Sequence, residues 1–177
     1  MKRITVLLIE VATLLGVGTF LVTTSRHATA QTSKGDAPTF VTKIPTGYRD
    51  WRMISVAHEE GDLHSFAAIL GNDTAIEAYR AKKLPFPDGT IVAALHYRFV
   101  PSDENNRVFG QPQSFVPGAA TNVQFMVKDS KKYAATGGWG FGHFNSDGTL
   151  GDEAMMKACS SCHAEASRDF VFTRYAP

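Results

Sequence analysis

Residues 90–100 read TIVAALHYRFV, a run dominated by β-branched and aromatic side chains with no turn former inside it, and that composition predicts a strand. The turn that launches it is Pro85-Phe86-Pro87-Asp88-Gly89, in which proline fixes φ and glycine permits a positive φ. Towards the C-terminus, Pro101–Arg107 reads as a polar loop. Thr121–Lys128 (TNVQFMVK) alternates Val123, Phe125 and Val127 with Asn122, Gln124 and Lys128, broken only by Met126; period two predicts a strand with one buried face. Tyr133–Phe144 contains GGWGFGHF, a strand whose glycines let another group come close. Asp152 or Glu153 opens a helix carrying both cysteines, and FVFTRY (170–175) reads as a last short strand. Towards the N-terminus, Phe66–Leu70 runs into a Gly71-Asn72-Asp73 turn, whose Asn72 or Asp73 caps a helix to about Lys83, with Ile76 and Tyr79 or Arg80 at helical spacing. HEEGDLHS (58–65) reads as a polar loop around Gly61. The domain starts near Gly47, where Tyr48 and Trp51 anchor a first helix with Asp50 in its first turn. There is no internal repeat or heptad pattern.

The chain of 177 residues suits one domain able to enclose a small cofactor. Apolar residues make up 44% and charged residues 20%, as in ordinary globular proteins. A net charge of +1 gives no reason to expect nucleic acid or an anionic membrane as partner. Residues 1–30 read as a signal peptide: Lys2 and Arg3 precede a mainly apolar stretch from Ile4 to Val22, and Ala28-Thr29-Ala30 has the small-x-small form of a cleavage site. Cleavage after Ala30 leaves Gln31 as the first mature residue. An uncleaved membrane anchor is the lesser alternative, because Glu10 within the apolar stretch costs a membrane span about 2–3 kcal/mol. Both readings put the globular part outside the cytoplasm, in the periplasm. Residues 31–46 are small, polar and proline-containing and read as a flexible lead-in to a domain over 47–177.

The only two cysteines lie in one segment, Cys159-Ser-Ser-Cys162-His163. This is the spacing of c-type haem attachment: two thiols add across the haem vinyl groups, and the adjacent histidine becomes the axial iron ligand. A disulfide over so short a loop stabilises little and leaves His163 unexplained. A thioredoxin-like pair belongs in an N-terminal βαβ unit rather than near the chain's end. Structural zinc needs four ligands, and no second cysteine pair exists. Haem c attachment also accords with export. The expectation is therefore one covalently bound haem c held by Cys159, Cys162 and His163.

A second axial ligand would favour electron transfer, and an open position would favour chemistry or binding at iron. Met155 and Met156 share the cysteine helix and read as core, as do Met53 and Met126. His58 and His64 fall in the polar loop, whereas His96 and His143 lie in strands and either could face the cavity. No candidate stands out, and the expectation leans towards five-coordinate iron.

The order GND (71–73), AYRAKKLPFPDGT (78–90), TNVQFMVKDSKKYAATGGWGF (121–141), CSSCH (159–163) and RDFVFTRYAP (168–177) resembles the cytochrome P-460 and cytochrome c′-beta family over residues 47–177. The resemblance implies an α+β fold, mainly antiparallel sheet with a few helices, a homodimer, and one c-type haem with an open distal side. In the P-460 branch a lysine from the strand after the PDG turn is cross-linked to haem, and the protein oxidises hydroxylamine. In the c′-beta branch the lysine is missing and an apolar pocket binds nitric oxide and similar gases. Here Ala93 or Ala94 stands where that lysine is expected, and SFAAILGND (65–73) lacks the distal arginine of the oxidising members. The resemblance thus favours gas binding in an apolar distal pocket drawn from Phe66, Ala67, Ile69, Ala93 and Leu95, with a small nitrogen compound as ligand and a redox protein as further partner; His96 is a further pocket candidate, and its entry, or that of a glutamate, would undo the apolar argument. Hydroxylamine oxidation and six-coordinate electron transfer are the alternatives.

Overall fold

A computed structural model describes residues 40–176; the signal-peptide reading of residues 1–30 lies outside them. The elements in chain order are β1 (Arg52–Glu59), β2 (Ser65–Gly71), α1 (Asp73–Arg80), β3 (Ile91–Pro101), α2 (Asp103–Phe109), β4 (Phe115–Lys128), β5 (Trp139–Asn145) and α3 (Glu153–Ala164). The strands form one antiparallel sheet in the order β1-β2-β3-β4-β5. The expected α+β, mainly antiparallel fold is the observed one.

Local chemistry accounts for the joints. Asn72 caps α1 by accepting from Ala75 N, and its Oδ1 also accepts from Ile91 N while Nδ2 donates to the Gly89 carbonyl. One side chain therefore ties the helix start to the start of β3. Helix α1 stops at Arg80, short of the expected Lys83, because Lys82 turns into the left-handed region at φ 52°. The Gly-rich stretch behaves as expected: a Cβ on Gly140 would lie 2.3 Å from the Tyr133 ring, and one on Gly142 would lie 2.8 Å from the Val41 carbonyl oxygen.

Four local expectations are corrected. The helix expected at Tyr48–Trp51 is only a 3-10 turn, Tyr48–Asp50, and a strand follows it directly. That strand, β1, runs through His58 and Glu59, so the polar loop shrinks to the turn between β1 and β2. A bulge between Met53 and Ser55 breaks its alternation and turns Ile54 wholly into the core. The expected loop at Pro101–Arg107 contains α2, which Ser102 caps by accepting from Asn105 N; it buries no residue, and so leaves no apolar periodicity to read. The FVFTRY segment runs without strand assignment, tethered by Ala176 N donating to the Ile54 carbonyl and Tyr79 Oη donating to the Thr173 carbonyl. Part of the lead-in is docked as well, since Phe40 pairs with Phe141 and Val41 is buried.

Strand pairing divides the side chains between two faces. The rows Gly71-Val92-Met126-Phe141, Ile69-Ala94-Gln124-His143 and Ala67-His96-Asn122-Asn145 share the first face. The rows Leu70-Ala93-Phe125-Gly142 and Ala68-Leu95-Val123-Phe144 share the second. Under the first face packs a cluster including Ile54, Ile76, Tyr79, Phe86, Trp139 and Val171, joined by Cys159 and Phe170. The second face is covered by Ile44, Tyr48 and Trp51. From Thr121 to Lys128 β4 is thus covered on both sides, and Asn122 and Gln124, read as its solvent side, lie on the first face.

Candidate functional site

Between the first face and α3 lies a cavity of about 500 Å3, within the range that holds cofactors. Asp152 caps α3 by accepting from Ala154 N. The helical spacing then puts Cys159 and His163, four residues apart, on one side, and both line the cavity. Cys162 follows on an exposed position of the same helix, and both cysteines are free thiols. Burial raises the Cys159 thiol above its ordinary value.

His163 is held in one tautomer. Its Nδ1 is 2.8 Å from the Phe170 carbonyl oxygen, which can only accept, so the hydrogen sits on Nδ1 and Nε2 keeps a free lone pair. Burial lowers the pKa of the imidazole, against the pull of that bond, which favours the neutral form. The ring stands between Phe141 and Phe172, at 5.3 and 5.1 Å. A neutral imidazole whose second nitrogen is bonded to a carbonyl is the state suited to a metal ligand. These residues fit a haem: an oriented axial nitrogen, a thiol on the same cavity wall and a second thiol three residues along. Among the described residues, no group of three or more His, Cys, Asp or Glu side chains could hold a metal ion by itself.

The opposite wall departs from the expected apolar pocket. Ile69 and His96 do line the cavity, with Val92, Ala94, Met126 and Phe141. Phe66, Ala93 and Leu95 do not: Ala93 and Leu95 are buried in the second-face cluster, and Phe66 packs edge-on to Phe99 and tilted against His58. Ala67 shares the first face but is taken up in the buried cluster. The reason is strand parity: neighbouring residues point to opposite sides, so Ala94 and His96 exclude Ala93 and Leu95. Of the two alanines, only Ala94 faces the cavity.

The rest of the wall is polar. Glu59, Ser65, Arg98, Asn122 and Gln124 border the cavity beside His96. The His96 Nδ1 lies 3.5 Å from both Glu59 Oε2 and Ser65 Oγ, the outer limit of hydrogen bonding, and Ser65 Oγ donates to Glu59 at 3.1 Å. Burial lowers the His96 pKa, Glu59 opposes the shift and His143 adds to it. An acid–base group therefore reaches the cavity, as the candidate position of His96 allowed. Glu59 escaped detection because it ends a bulged edge strand; Arg98 could have been found by counting in twos from Ala94. His143 is mostly buried. His58 stacks on Phe99 at 4.4 Å and His64 meets the same ring edge-on. Met156 is buried as expected and Met126 borders the cavity, whereas Met53 and Met155 are exposed rather than core.

A family model described as cytochrome P460 matches residues 45–173. No curated protein matches the chain. The matched segment holds every element from β1 to α3 and both walls of the cavity, so the chain belongs to the cytochrome P460 family and is a haem protein.

Proposed function

We propose that this chain is an exported c-type haem protein whose iron is ligated by His163 and binds nitric oxide or a similar small nitrogen compound on its open side. Cys159 and Cys162 would hold the haem through thioethers, each thiol adding sulfur to one vinyl carbon and hydrogen to the other, with no oxidant required. The bound haem supplies an iron that takes up small ligands and exchanges single electrons. The chain's own residues orient the axial nitrogen through the Phe170 carbonyl and line the cavity with Ile69, Val92, Ala94, Met126 and Phe141. The observation that carries the reading is Ala94: it occupies a cavity-facing position of β3, and no lysine is among the described residues lining the cavity. That supports an unmodified haem and the gas-binding branch.

One observation favours a second reading. His96 with Glu59 offers a proton acceptor, which oxidation of hydroxylamine requires as protons and electrons leave together. The purified protein separates the two. The expected haem-peptide mass equals peptide plus haem, with thioether bonds only, and the ferrous protein gives a five-coordinate spectrum that changes on adding nitric oxide. A mass containing a lysine cross-link, or steady hydroxylamine turnover abolished by His96→Ala, selects the second reading. A six-coordinate low-spin ferrous spectrum rejects both in favour of electron transfer.

A further inference from the structure

Lys128, near the end of β4, is a buried lysine with all three of its protons engaged. Its Nζ is 2.9 and 3.0 Å from the two carboxylate oxygens of Asp169 and 3.1 Å from the Gly137 carbonyl oxygen, and it lies 4.9 Å over the Trp139 ring. Asp169 Oδ2 also accepts from Phe86 N at 2.8 Å. Asp169 and Phe170 both have left-handed backbone, with φ of 52° and 67°, a conformation that costs a non-glycine residue about 1 kcal/mol or more. The Phe170 ring lies so close over Gly137 that a Cβ there would be 2.3 Å from it. Two consecutive strained residues are thus clamped by a charge pair, a backbone donor and a glycine.

Stability by itself is a poor reason to bury this pair, because matched neutral side chains of similar shape often serve as well. The geometry of the clamp gives a better one. The strained segment it fixes ends in the Phe170 carbonyl, which takes the Nδ1 hydrogen of His163. We propose that Lys128 and Asp169 are positioning residues for the proximal ligand: they hold the Phe170 carbonyl on His163 and so set how strongly the imidazole donates to iron. The inference rests on His163 being the iron ligand. A well-placed carbonyl makes the imidazole a stronger donor and favours the ferric state.

The test uses the haem-loaded double variant Lys128→Met/Asp169→Asn, which removes both charges together, nearly keeps their shapes and leaves no buried ion unpaired. The expected result is a lower iron–histidine stretching frequency in the ferrous resonance Raman spectrum and a higher reduction potential, with the haem-peptide mass unchanged. Ile76→Ala, a core truncation in α1, serves as control and is expected to lower stability while leaving both readouts in place. Unchanged frequency and potential in the folded double variant would overturn the proposal, as would an equal change in the control. A wild-type iron–histidine band in His163→Gly would instead overturn the ligand assignment itself.

Discussion

The neutral imidazoles of this protein are a property of where they sit. Burial lowers the pKa of His143 below its ordinary 6.5, and it does the same to His96, where Glu59 works against the shift and His143 with it. In the window below 6.5 the unfolded chain therefore binds more protons than the folded one, so stability rises with pH there. This contribution is complete above about pH 6.5 and is lost as pH falls towards the lowered values. His143→Gln is expected to flatten the acid side of a plot of unfolding midpoint against pH, in the window below its ordinary 6.5; an unchanged slope would show that this histidine is not its source. The same scale separates what the sequence discloses from what it hides. Cys159, Cys162 and His163 are legible because attachment chemistry demands their spacing within a single helix. Glu59, His96 and Phe170 meet the site from three different segments, and no local pattern brings them together.

At the level of elements, the half-buried Asn72 side chain ties the start of α1 to the segment that leads into β3. It caps α1 and satisfies both the Ile91 N–H and the Gly89 carbonyl, closing the long connection between β2 and β3. Asn72→Ala removes the cap and strands the other two groups, and the expected loss is about 2 kcal/mol in denaturant unfolding. A loss under about 0.5 kcal/mol, within the range of ordinary surface substitutions, would mean that water replaces all three bonds. Elements with strong local signals were readable: the cap before α1, the proline turn before β3, the alternation of β4 and the capped α3. β1 was not, because its bulge interrupts period two and its exposed edge carries mixed residues. α2 was not, because a helix with no buried side chain has no apolar stripe. Of the pocket candidates, Ala93 and Leu95 lie away from the cavity because β3 has two faces, and Phe66 on β2 does so for the same reason.

For the molecule as a whole, the proposed signal peptide has a direct measurement. If the proposed signal peptide is removed, N-terminal sequencing of the purified protein is expected to begin at Gln31, and a chain retaining the segment from Ile4 to Val22 would instead support the anchored alternative. Either outcome leaves the described domain unchanged, and no helix among the described residues is long and apolar enough to cross a membrane. The sheet has a further consequence for how such a chain comes together. Every strand among the described residues pairs with its neighbour in sequence, so each hairpin can zip onto the last as the chain emerges, without awaiting a distant partner. The thiol-bearing helix comes after all five strands. One wall of the cavity can therefore be standing before the last segment arrives. The attachment site would then fold against a finished surface, as a latch rather than a nucleus.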